Sequence, residues 1–171
     1  MKSKKQIKIY VVDNDVDELE KFRDNFKPEF NYILNTFSSV QMFLNKLKSD
    51  SKDRDFKIVL LDKLVSSRGM QTNSAIEIVP KIKSIDRNAE VIIFADSENI
   101  ELKATNSAIK SVIYIKKDKH YFDILYPIME RLVSDYELKK ARKKLKKSIV
   151  VSLTVIIIAA VIFVFGMFYF G

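Results

Sequence analysis

The sequence has no cysteine and no tryptophan, and only one histidine, three glycines and three prolines among 171 residues. The absence of cysteine excludes disulfides, thiolate metal sites and thiol nucleophiles, and the single His120 excludes a multi-histidine metal centre. So little glycine and proline leaves scant material for flexible linkers. The length suits one domain of ordinary size with an appendage. Hydrophobic residues at 47% and charged residues at 30% are proportions of a globular chain rather than a disordered one.

The net charge of +8 is not spread over the chain. Lys139, Lys140, Arg142, Lys143, Lys144, Lys146 and Lys147 carry most of it, so the rest is nearly neutral and offers no broad basic face for nucleic acid. Directly after this run, Ile149 to Phe170 (IVVSLTVIIIAAVIFVFGMFYF) gives 22 residues without a charge. As a helix this stretch spans ~33 Å, enough for a hydrocarbon core of ~30 Å. Ser152 and Thr154 fit such a helix because their hydroxyls can bond preceding carbonyls. The expectation is one C-terminal transmembrane helix acting as a tail anchor in the cell membrane, with Phe168, Tyr169 and Phe170 at the far interface. Lys139 to Lys147 then stay on the cytoplasmic side, against anionic lipid, and the folded part faces the cytoplasm. Met1 to Lys5 is basic but leads into Gln6 and Lys8 rather than a long apolar region, so no signal peptide is read there.

Upstream of the basic run the pattern alternates. Ile7 to Val12 is a short apolar strand, followed by a helix that Asp15 or Asp17 can cap, with Leu19, Phe22 and Phe26 on one face. Tyr32 to Phe37 reads as a strand, and Ser38 or Ser39 opens a helix bearing Val40, Phe43, Leu44 and Leu47. Then come the strand 57–62 (KIVLLD), a helix from about Asn73 to Ile85, the strand 91–94 (VIIF), a helix near Glu98 to Ile109, the strand 111–115 (SVIYI), and a last helix from near His120. Pro127 either kinks that last helix or lies near its start. Five near-continuously apolar strands, each followed by a helix, predict an α/β fold with a doubly wound, five-stranded parallel sheet covered on both faces. The domain reading is 1–136 for this fold, 137–148 for a basic juxtamembrane helix and 149–170 for the span.

In such sheets ligands gather at the carboxyl ends of the strands. Here those ends carry Asp13, Asn14 and Asp15, then Asp62, then Ala95 and Asp96, then Lys116, Lys117 and Asp118. Clustered carboxylates repel unless an ammonium or a hard divalent cation neutralises them, and oxygen donors of this kind suit magnesium.

With IYVVDND, IVLLD and YIKKD at three strand ends and this element order, residues 6 to about 136 resemble the receiver domain of two-component response regulators. The resemblance implies a flavodoxin-like sheet of order 2-1-3-4-5. It also implies Asp62 as phospho-acceptor, Lys117 as the phosphate partner, and Mg²⁺ held by Asp13, Asp62 and the backbone carbonyl of Leu64, with Asn14 or Asp15 as a further candidate ligand. Tyr114 falls at the aromatic switch position and Ala95 at its hydroxyl partner; read on its own, Tyr114 is a strand aromatic half-packed on the last helix. The implied partner is a histidine kinase or phosphotransfer protein, and the implied function is that of a membrane-tethered single-domain receiver, not an enzyme, signalling through protein contacts.

The chain departs from the family pattern in three places. Asn14 stands where a second acid binds metal, Ala95 lacks the hydroxyl that contacts the phosphoryl group, and the loop from Lys63 to Ser74 lacks the usual proline-glycine pattern. These departures favour an alternative, a non-phosphorylated pseudo-receiver serving as a membrane-anchored adaptor. A phosphatase reading of Asp13-Asn14-Asp15 as a DxD motif is opposed by the absence of Ser or Thr at the fourth strand end.

Overall fold

The computed structural model describes residues 6–26, 32–53, 55–66, 72–95 and 112–170. The chain divides into two compact units, Met1–Met129 and Glu130–Gly171. The elements in order are β1 (Ile7–Val12), α1 (Val16–Asn25), β2 (Tyr32–Phe37), α2 (Val40–Ser49), a short 3-10 turn (Asp50–Lys52), β3 (Phe56–Asp62), β4 (Leu64–Ser66), β5 (Thr72–Ser74), α3 (Ala75–Ile85), β6 (Glu90–Ala95), β7 (Val112–Lys116) and α4 (Tyr121–Phe170).

Five strands form one parallel sheet in the order β2-β1-β3-β6-β7. Counting only its own strands, this is 2-1-3-4-5, the winding that reverses between the first and third strands. The central β3 is buried from Phe56 to Leu61, as a strand covered on both faces must be. Its alternate residues Val59 and Leu61 meet Val40, Phe43 and Leu47 of α2 and Ile78, Val79 and Ile82 of α3. On the opposite face Phe22 of α1 packs on Phe94 and Tyr121, with ring centroids 5.7 Å apart in each pair.

Local chemistry explains several boundaries. Asp15 is the N-cap of α1, its carboxylate accepting from the Asp17 amide, which satisfies one of the helix's orphan donors. Ser39 precedes α2 as its N-cap. The helix expected from Asn73 instead starts at Ala75, because Thr72–Ser74 pairs antiparallel with Leu64–Ser66 in a small hairpin. That hairpin was not foreseen, although Val65 and Thr72 are β-branched. Pro127 lies inside α4, which begins at Tyr121, so the helix does not start at the proline. The helix expected near Glu98 to Ile109, and with it Asp96 and Ser111, lies outside the described residues.

The second unit is the part of α4 from Glu130 onward. Among the described residues, no helix is long and apolar enough to cross a membrane. Every described Val, Leu and Ile from Ile149 to Ile162 is more than half exposed, between 53% and 66%.

Candidate functional site

Alternation along the strands brings the site together. Asp13 follows Ile9 and Val11, Asp62 follows Ile58 and Leu60, and Lys117 follows Ile113 and Ile115, so all three side chains share the α1 face of the sheet. The parallel register that sets Val12 against Leu61 carries Asp13 and Asp62 to one level. Lys117 Nζ then donates to Asp13 Oδ2 at 2.7 Å and to Asp62 Oδ1 at 3.1 Å. The remaining oxygen of Asp13 accepts from the Asp15 amide at 2.9 Å.

Two residues that the sequence reading did not assign to the site belong to it. Glu18, one turn into α1, places Oε2 3.8 Å from Lys117 Nζ. The Tyr121 hydroxyl donates to the same Glu18 oxygen at 3.3 Å, and Lys21 pairs with the other. Glu18 lies four residues before the buried Phe22, so the helical period that sends Phe22 to the sheet also sends Glu18 to its rim. That spacing was the available signal. Glu18, Lys21, Lys117 and Tyr121, with Asp15 and Asn25 among others, line a cavity of about 670 Å³ beside the strand ends.

The other predicted residues fall as follows. Asn14 is exposed beside Asp13, and Asp15 caps α1 at the cavity wall. Leu64 opens β4, opposite Ser74. Ala95 ends β6 and is buried. Tyr114 is a half-buried strand aromatic. Alternation turns it to the α2 and α3 face, against the cluster of Val91, Ile93 and Ile82. Its hydroxyl is buried without a hydrogen-bond partner among the described residues, and burial raises the phenol's pKa.

The electrostatics follow from this packing. Burial pushes the Asp13 carboxyl above its ordinary value; Lys117 and the Asp15 amide pull it down, while the charge of Asp62 adds to the rise. Burial also opposes the charge on Lys117, but the bonds and charges of Asp13 and Asp62 outweigh it and its pKa is raised. The lysine is therefore a firmly held cation between two carboxylates. Among the described residues no group of three or more His, Asp or Glu is placed to hold a metal ion. Two carboxylate groups converging at strand ends nonetheless fit magnesium, which binds through one or two protein carboxylates and completes its shell with water and phosphate oxygens.

No family model matches the chain, and no curated protein sequence matches it significantly. Solved structures do. An adenylate cyclase from Rhodopirellula baltica superposes with a TM-score of 0.60 at 22% identity, covering 82% of this chain and 96% of that one. A CheY-like response regulator receiver domain protein from Methanospirillum hungatei JF-1 gives 0.57 at 18%, covering 77% and 98%. This chain has the receiver fold. The CheX-CheY-BeF3-Mg²⁺ complex from Borrelia burgdorferi gives 0.54 at 25% identity, covering 72% and 87%. At 22% and 18% identity the first two likenesses bear on the fold alone.

Proposed function

We propose that this chain is a receiver that accepts a phosphoryl group on Asp62 from the phosphohistidine of a kinase or phosphotransfer protein, and signals through protein contacts rather than by an enzymatic activity of its own. The carrying observation is Lys117 Nζ, 3.1 Å from Asp62 and 2.7 Å from Asp13. In the transfer an Asp62 oxygen forms a bond to phosphorus as the bond from phosphorus to the donor imidazole nitrogen breaks. The nitrogen keeps the electron pair, and the imidazole takes a proton from solvent to leave as neutral histidine. Lys117 is placed to pair with the phosphoryl oxygens as charge redistributes, which is where a fixed cation contributes most. A magnesium ion, when bound by Asp13, Asp62 and the Leu64 carbonyl, would supply further neutralisation of that charge. The receiver-fold neighbour in a complex with BeF3 and Mg²⁺ supports this reading.

The membrane anchor is part of the same proposal: residues 149–170 span the membrane once and hold the receiver at the cytoplasmic face. Its support is the uncharged 22-residue run, the exposure of every described Val, Leu and Ile within it, and the basic segment directly before it.

The test uses the full-length chain in detergent micelles with acetyl phosphate and magnesium. Intact mass should show one phosphoryl adduct, absent in Asp62→Asn. The second reading, a pseudo-receiver that serves as an adaptor without phosphorylation, is favoured by Ala95, which offers no hydroxyl at the end of β6. A folded chain that gives no adduct would select it.

A further inference from the structure

We propose that Glu18 is a positioning residue that competes with the Asp62 phosphoryl group for Lys117, and that Tyr121 holds it in place. This rests on the phospho-acceptor reading and extends it to regulation of the same site.

Lys117 is shared three ways: Asp13 at 2.7 Å, Asp62 at 3.1 Å and Glu18 at 3.8 Å. The Glu18 side chain is only 14% exposed, and it is fixed from two sides, by the Tyr121 hydroxyl and by Lys21. Tyr121 is itself immobilised. It is buried, stacks on Phe122 at 4.3 Å, and meets Phe94 edge-on at 5.3 Å. Glu18 is therefore a preset negative charge beside the ammonium, anchored to the first residue of α4.

A phosphoryl group on Asp62 adds charge next to Lys117 and draws the ammonium toward it. The stronger the pull of Glu18, the less Lys117 shields the phosphorus from water. Hydrolysis forms a new bond from water oxygen to phosphorus and breaks the bond to the Asp62 oxygen, which restores the carboxylate and releases inorganic phosphate, the water's protons passing to the phosphate and to solvent. Glu18 thus shortens the lifetime of the phosphorylated state. Because Ala95 has no hydroxyl to sense the phosphoryl group, the chain Asp62, Lys117, Glu18, Tyr121 is a hydrogen-bonded and ion-paired connection from the acceptor to a helix.

Two measurements on the full-length chain in micelles test this, on wild type, Glu18→Gln, Glu18→Asp and Tyr121→Phe. The first is the side-chain ammonium resonance of Lys117 by ¹⁵N NMR, which needs no phosphorylation. Glu18→Gln should shift it and speed its exchange with water, Glu18→Asp should leave it nearer to wild type, and Tyr121→Phe should fall between. The second is the decay of the adduct after acetyl phosphate is removed. Glu18→Gln should lengthen its lifetime by a factor of about 1.4 to 5, the range of a partly exposed charge pair. An unchanged ammonium signal and lifetime in Glu18→Gln would overturn the inference. No adduct in any variant, with the ammonium signal still responding to Glu18, would instead overturn the phospho-acceptor reading and support the positioning role.

Discussion

Lys117 Nζ and Asp13 Oδ2 sit 2.7 Å apart although 104 residues separate them in sequence. The pair joins the end of the last strand of the sheet to the end of the first, and it leaves Asp13, only 3% exposed, dependent on one cation. Lys117→Ala should therefore cost stability as well as function. Removing the ammonium strands a buried carboxylate beside Asp62, and the loss should be about 1–3 kcal/mol by urea unfolding. Asp13→Asn, added to Lys117→Ala, should restore most of it, since no buried charge is then left unpaired. A double variant no more stable than the single one would contradict this account.

At the opposite end of the sheet, Lys57 of β3 is 1% exposed and donates to Asp86 Oδ2 at 2.9 Å and to the carbonyls of Asp53 and Asp55. A buried ion pair broken from one side costs about 3–5 kcal/mol, whereas an apolar side chain of like volume can be nearly neutral. Lys57→Ala should lower the unfolding midpoint strongly, and Lys57→Met much less. Equal losses in the two would show that volume, not charge burial, decides at this position.

The sheet was legible in the sequence because its signal is redundant: each apolar run is confirmed by its neighbours, and β3 reads as buried on both faces from KIVLLD alone. The convergence of Asp13, Asp62 and Lys117 was legible too, since strand ends in such a sheet must meet along one edge. Glu18 was not assigned, because a glutamate on a helix is usually solvated and only its period with Phe22 turns it inward. The hairpin of Leu64–Ser66 with Thr72–Ser74 escaped for another reason. Three-residue strands carry too few positions to show a period, so pairing rather than pattern creates them. Tyr114, read on its own as packed on the last helix, lies against the core cluster on the α2 and α3 face, because a strand's sequence does not say which helix covers each of its faces.

Acid stability should follow Asp50. Burial opposes its charge, but the Tyr10 hydroxyl at 2.7 Å, Lys46 and Lys8 all favour the carboxylate and hold its pKa below the ordinary value. A carboxyl depressed on folding contributes stability that is present above the unfolded value of about 3.9 and is lost as the pH falls through the folded one. Asp50→Asn should thus be destabilised relative to wild type at pH 7, and the gap should narrow below about pH 4. Lys8, whose pKa is raised because Asp53 and Asp50 outweigh its burial, behaves oppositely. Its contribution is present below the unfolded value of about 10.4 and fades as the pH rises through the folded one. Urea midpoints of the two proteins across this range measure both effects. A gap of constant size would contradict the role given to Asp50.

The anchor makes the last prediction. The sheet, the site residues and the packing of Tyr121 all fall within Met1–Met129, one of the two compact units. A chain lacking residues 148–171 should therefore keep a cooperative unfolding transition and, if the receiver reading holds, the same single adduct on Asp62. Full-length protein should sediment with membranes and resist alkaline carbonate, which strips proteins held only by charge, whereas the truncated chain should stay in the supernatant. Full-length protein released by carbonate would leave the basic run at Lys139 to Lys147 as a lipid-binding surface and remove the span. Replacing Val155 and Ile158 by lysine separates the two cases further. Each charge at the middle of a spanning helix costs about 2.5–3.5 kcal/mol on insertion scales, so the double variant should lose membrane retention if 149–170 crosses the bilayer. It should keep or strengthen retention if the segment only lies against an anionic surface.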